Sequence, residues 1–174
     1  MEQKINPEQI HLGEVILIRT EKRGDFSPIL PLLKYFCKQK LIYICSNKSP
    51  CDLVYTMKRI SLCLDNVCII NASGLNDLNG GNIQNIDCDN LTQICIELNK
   101  LLKKDEKKKI IVLDCPLGFL LHNEIKLVRR FVLDVIKKVK KDRSAILIIV
   151  CNHNKKLTNT FNEIKIFIDK LYEL

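Results

Sequence analysis

Apolar positions along the chain alternate between two rhythms. Val15–Arg19, Leu41–Ser46, Val67–Asn71, Ile110–Asp114 and Ala145–Cys151 are short, nearly unbroken runs rich in β-branched residues. Such runs suit strands covered on both faces. Between them the apolar period lengthens to that of a helix. Ser27 and Pro28 open a first predicted helix with Ile29, Leu32, Leu33 and Phe36 on one stripe. Ser49-Pro50-Cys51-Asp52 reads as the capped start of a second, with Leu53, Met57, Ile60 and Leu64. A third carries Leu91, Ile94, Cys95, Leu98, Leu101 and Leu102. A fourth starts near Asn123, read as its cap, and shows Ile125, Val128, Val132, Val135, Ile136 and Val139.

Strand and helix alternating at this spacing imply an α/β fold. The expectation is one three-layer domain over residues 1–174, with a mostly parallel sheet of five or more strands and helices on both faces. Residues 72–90, rich in Asn, Gly and Asp, read as a flexible loop. Residues 164–174 fit either a strand or a short helix. The longest apolar run, Ala145–Cys151, is far short of the roughly 20 residues that span a bilayer. No membrane insertion is expected, and the N-terminal residues lack the apolar core of a secretion signal. A cytoplasmic location follows as the expectation. The nine cysteines show no Cys-x-x-Cys spacing, so they read as reduced thiols used as small apolar residues.

Charge changes the picture in one half of the chain. Residues 1–99 hold 10 basic and 11 acidic side chains, net −1, whereas residues 100–174 hold 18 and 9, net +9. A basic half suits nucleic acid or an acidic partner, or equally a set of solvated lysine-rich helix faces. In the fourth helix Lys126, Arg130, Lys137 and Lys141 should face outward, and lysines near the C-terminal end suit its negative pole.

In a parallel sheet with helices on both faces, ligands bind beyond the C-terminal strand ends. After the first run comes Thr20-Glu21-Lys22-Arg23-Gly24-Asp25-Phe26-Ser27. A phosphate cradle needs several glycines and a lysine followed by Ser or Thr. Here Gly24 stands alone and Asp25 would repel a phosphate. Lys22 and Arg23 keep an electrostatic attraction for one, or form a solvated turn. Asp114 ends the fourth run in the manner of a Walker B carboxylate, or caps the next turn. His153 follows the fifth run as a phosphate-sensing group or a plain turn residue. His11 and His122 have no acid, Ser or Cys partner at motif spacing, so no catalytic triad is readable. No metal site and no cofactor follow from these residues.

Tyr43-Ile44-Cys45-Ser46-Asn47-Lys48-Ser49-Pro50-Cys51-Asp52-Leu53 resembles the second strand and helix start, "YVSLEESPEEL", of the KaiC branch of RecA-like P-loop ATPases. Met57 and Arg59 continue the likeness. Ile110–Asp114 is similar to that family's Walker B strand, Ile146–His153 to its sensor strand, and Phe167–Leu171 to its "aDgvI" segment. The resemblance runs from about residue 12 to the C-terminus and implies a RecA/KaiC-like fold. Active members carry Gly-x-x-Gly-x-Gly-Lys-Ser/Thr after the first strand and two glutamates at the tip of the second. The corresponding places here are Thr20–Ser27 and Asn47-Lys48. An amide and an ammonium do not activate water as a carboxylate does. A divergent member with degenerate motifs is therefore expected: not an enzyme but a pseudo-ATPase module with no catalytic residue, and Lys22, Arg23, Gly24 and Asp114 as vestiges of a nucleotide site. Its partner would be another protein or a second copy, including a RecA-like ATPase. The alternatives are an ATPase with a divergent phosphate loop, or a module binding nucleic acid weakly and without sequence preference through its basic half.

Overall fold

The computed structural model describes residues 5–21, 27–104, 107–152 and 164–174. Seven parallel strands form one sheet: β1 (Val15–Thr20), β2 (Lys40–Cys45), β3 (Val67–Asn71), β4 (Ile83–Asn85), β5 (Lys109–Asp114), β6 (Ala145–Asn152) and β7 (Lys170–Glu173). Their spatial order is β4-β3-β2-β5-β6-β1-β7. Among the described residues four α-helices cover it: α1 (Leu30–Tyr35), α2 (Pro50–Arg59), α3 (Leu91–Lys103) and α4 (Ile125–Asp142).

The strict alternation of side chains along a strand explains why the central runs are apolar throughout. Ile16 and Ile18, Tyr43 and Cys45, and Ile110 and Val112 face α1 and α2, where Leu32, Leu33, Leu53 and Met57 meet them. Val15 and Leu17, Ile42 and Ile44, and Ile111 and Leu113 face α3 and α4, against Ile94, Leu98, Val132 and Val135. Two cores thus flank one sheet, giving the expected three layers. Burying each such aliphatic side chain is worth about 1.5–3 kcal/mol. No helix among the described residues is long and apolar enough to cross a membrane.

The helix starts correct the sequence in two places. Ser27 opens a 3-10 turn, Ser27–Ile29, and α1 begins at Leu30 without a side-chain cap. Asn123 does not cap α4; its amide donates to the carbonyls of Cys88 and Phe119, at 2.9 and 3.0 Å, and Glu124 takes the cap position without a side-chain bond. Ile125 consequently points to solvent rather than into the core. Ser49 does cap α2, accepting from Asp52 N at 3.1 Å. Lys126, Arg130, Lys137 and Lys141 are exposed, as the periodicity requires.

Residues 72–90 are more ordered than their composition suggests. They contain β4, and the fully buried Asn71 organises the approach to it. Its Nδ2 donates to Leu75 O at 2.9 Å, Asn76 Oδ1 at 3.3 Å and Asn85 Oδ1 at 2.8 Å. Its Oδ1 accepts from Ser73 N at 3.1 Å and Ser73 Oγ at 2.7 Å. The segment at 164–174 resolves into a 3-10 turn, Lys165–Phe167, and the edge strand β7 beside β1.

Candidate functional site

The C-terminal ends of β2 and β5 meet beside one another, because Cys45 pairs in register with Asp114. Asp114 is 2% exposed and shares the α1/α2 side of the sheet with Tyr43, two positions back on the neighbouring strand. The Tyr43 hydroxyl donates to Asp114 Oδ2 at 2.5 Å. The chain leaves β2, turns at Ser46-Asn47-Lys48, and returns Lys48 Nζ to the same carboxylate oxygen at 2.6 Å. One buried oxygen therefore receives a phenol and an ammonium. Burial first, then the Asp114 charge and the hydrogen bond to it, hold the Tyr43 phenol well above its usual range. It is a fixed neutral donor at physiological pH.

The turn itself is locked. Cys45 Sγ donates to Lys48 O at 3.1 Å and accepts from Lys48 N at 3.2 Å. Ser46 Oγ donates to Cys115 O at 2.6 Å and lies 3.3 Å from Asp114 O. Cys115 adopts a left-handed backbone, φ 52°, which swings the chain from β5 into the 3-10 turn Pro116–Leu121. Gly118 lies so close to this clamp that a Cβ there would come 2.4 Å from Ser46 Oγ and 2.9 Å from Ser46 O. Only glycine fits without displacing the turn. At the start of α2 the exposed N–H of Cys51 is taken by Asp77 Oδ1 at 3.3 Å. The chain's own carboxylate thus sits at the helix N-terminus where an anionic ligand would otherwise be favoured.

Of the residues the sequence singles out, the structure brings together Asp114 and Lys48, with Asn47 between Lys48 and Ser46 at the same strand tip. The Asn47 Oδ1 is shielded from solvent and has no hydrogen-bond donor among the described residues. Lys22, Arg23, Gly24, Asp25 and His153 lie outside the described residues. Tyr43 as a partner of Asp114, and the Ser46–Cys115 clamp, were not legible beforehand. What the sequence offered here was an acid and a lysine, Asp114 and Lys48, at the tips of two predicted strands. Among the described residues no group of three or more His, Cys, Asp or Glu side chains is placed to hold a metal ion.

No family model and no curated protein matches this sequence. Solved structures do match. The KaiC-like protein PH0186 of Pyrococcus horikoshii superposes with a TM-score of 0.66 at 12% identity, covering 94% of this chain and 72% of that one. The flagellar accessory protein FlaH of Methanocaldococcus jannaschii gives 0.63 at 14% identity, with 94% and 72% covered. The fold is KaiC-like, of the RecA type. In this KaiC-like fold, β5 with Asp114 lies between β2 and β6, and β6 separates it from β1.

The thiols at this edge are structural. Burial pushes Cys45 up to about 11 and Cys151 to about 12 from an ordinary 9.0. Cys68 and Cys115 are also buried, whereas Cys51 and Cys63 are exposed. A thiol reagent applied to the native protein is expected to modify Cys51 and Cys63 rapidly and to spare these four until unfolding. The raised values mean that the native state retains protons that the unfolded chain loses. Stability is then full below about pH 9 and falls as pH rises toward about 12. Fast native labelling of Cys45 and Cys151 near pH 7.5 would contradict this packing.

Proposed function

We propose that this chain is a non-catalytic KaiC/RecA-like module, a pseudo-ATPase that works by binding another protein. The observation that carries the reading is the Lys48–Asp114 ion pair. The fold family implies a magnesium nucleotide, and the residues present do not fit it. Asp114 is the acid at the tip of the strand that resembles a Walker B element, and its inward oxygen is already satisfied by an ammonium and a phenol. A divalent cation at that oxygen would have either to displace Lys48 or to sit beside its ammonium, two positive charges in a poorly solvated site.

Three further features support the same reading. The β2 tip offers Asn47 and Lys48 in place of carboxylates able to activate water. The sequence between Thr20 and Ser27 has one glycine and no lysine followed by Ser or Thr. Asp77 takes a free N–H at the start of α2. What the fold retains is a rigid sheet with well-packed helices and a locked edge, which suits docking rather than turnover.

A thermal-shift titration tests the absence of nucleotide binding. A ligand at 100 times its dissociation constant adds about 2.7 kcal/mol, or roughly 5–11 °C for a chain of this length. ATP with Mg²⁺ at millimolar concentration is expected to leave the melting temperature unchanged. A saturable rise would overturn the proposal in favour of an ATPase with a divergent phosphate loop.

A further inference from the structure

The 3-10 turn after β5 and the start of α4 hold aliphatic side chains in solvent on a rigid backbone. Leu121 is 73% exposed, Ile125 49% and Leu127 51%. They are not there for want of structure. Phe119 of the same turn is fully buried and packs edge-on against Phe131, with ring centroids 5.4 Å apart. Gly118 lies against Ser46, and the Asn123 amide ties the turn to Cys88 O and Phe119 O. Next to this knuckle a cleft of about 350 Å³ opens between α3 and α4, walled by Leu91, Cys95, Leu127 and Phe131 and by five polar or charged residues, Arg130 and Asp134 among them. A concave cleft with an apolar wall and a polar one, set beside exposed aliphatics, is a shape that accepts side-chain anchors of an amphipathic helix.

Charge says what kind of helix. Lys126, Arg130, Lys137 and Lys141 run along the solvent side of α4, and among the described residues none of the four has an ion-pair partner. Asp134 lies at the cleft four residues from both Arg130 and Lys138, within reach of each on a helix surface. Glu124 and Asp89 sit at the N-terminal ends of α4 and α3, where the helix dipoles favour them. Asp134 thus has basic neighbours on its own helix, Arg130 included, while among the described residues no ion pair engages Lys126, Lys137 or Lys141.

We propose that the α3–α4 cleft and the Leu121–Ile125–Leu127 knuckle form a docking site for an amphipathic, acid-flanked helix of a partner protein. The apolar face of that helix fills the cleft, and its acidic flank lies along the α4 stripe. A bilayer surface would bridge a concave cleft rather than fill it. Duplex or single-stranded nucleic acid would leave the aliphatic knuckle unmatched, since among the described residues no aromatic side chain is exposed beside it. This inference rests on the reading of the chain as a binding module, and it deepens that reading by naming the surface and the chemistry of the partner.

The test uses the whole protein and two fluorescent synthetic peptides of roughly 15 residues, a length at which a helix can begin to form. Both carry leucines at i, i+3, i+4 and i+7; one has glutamate on its flanks and the other lysine. Anisotropy is expected to show micromolar binding of the glutamate peptide and none of the lysine peptide. Leu127→Ser should weaken binding by about tenfold, and Lys126→Gln with Arg130→Gln by a similar factor. Both charge positions are exposed, so the second variant stays folded and keeps the test decisive if the first does not. No binding by the wild type, equal binding of both peptides, or affinity unchanged in the charge variant would each overturn the proposal. So would retention on phosphatidylserine–phosphatidylcholine vesicles, or on a mixed-sequence DNA duplex, by a protein that ignores the peptide. A thermal shift with ATP, by contrast, would overturn the pseudo-ATPase reading while leaving the peptide result standing.

Discussion

Lys48→Met is expected to lower stability by about 3 kcal/mol, seen as a fall in melting temperature of roughly 6–12 °C. The side chain carries a charge that compensates Asp114, whose carboxylate is buried at 3% exposure while Lys48 itself retains 17%. Removing the ammonium leaves an uncompensated anion in a poorly solvated place, with the Tyr43 phenol as a remaining donor. That geometry places the cost at the lower end of the range for broken buried pairs. Adding Asp114→Asn to Lys48→Met should recover more than half of the loss. The amide oxygen still accepts from Tyr43, and no buried charge is left. A cost below about 1 kcal/mol, the range of exposed pairs, or a double variant no better than the single, would show that the bridge is not what neutralises this edge.

The second large effect is at Asn71. Its side chain makes contacts in both directions, to Ser73, Leu75, Asn76 and Asn85, and is fully buried. Asn71→Ala removes an acceptor for the Ser73 amide and hydroxyl and a donor for the Leu75 carbonyl. Each net bond is worth about 1 kcal/mol, and groups left unpaired cost more. A loss of about 2 kcal/mol is expected, together with a more than tenfold increase in amide exchange at Ser73 and in the turn that follows. Unchanged exchange there would mean that the loop is held by something other than this amide.

These two sites also mark where the sequence was readable. The five central strands stood out because each is covered on both faces and so is apolar at every position. The two edge strands did not. In β4 one of three residues is half-buried and the other two are exposed, and β7 alternates between half-buried and exposed positions. Neither produces an unbroken apolar run. The Ser49 cap was legible because capping is local, confined to residues three apart. The Asn123 cap was misread because its amide is drawn to Cys88, 35 residues away, through packing that periodicity does not encode.

The same division holds at the site. Asp114 was visible as an acid ending an apolar strand, and Lys48 as a departure from the resembled pattern. Their pairing was not visible, since it joins positions 66 residues apart and depends on β2 lying next to β5. Tyr43 was noted only for its resemblance, yet its hydroxyl makes the shortest bond to Asp114. The composition of residues 72–90 suggested flexibility, and one buried asparagine reverses that for the turn after β3. In each case a long-range contact outweighed a local tendency.

The central claim is that this KaiC-like edge is closed to nucleotide chemistry by its own side chains. Phosphate release by the purified chain with ATP and Mg²⁺, measured against a denatured control and against Asp114→Ala, tests it most directly. The account predicts no release above the control for either protein. Turnover by the wild type that Asp114→Ala abolishes would contradict it, because Asp114 would then be holding a metal rather than Lys48.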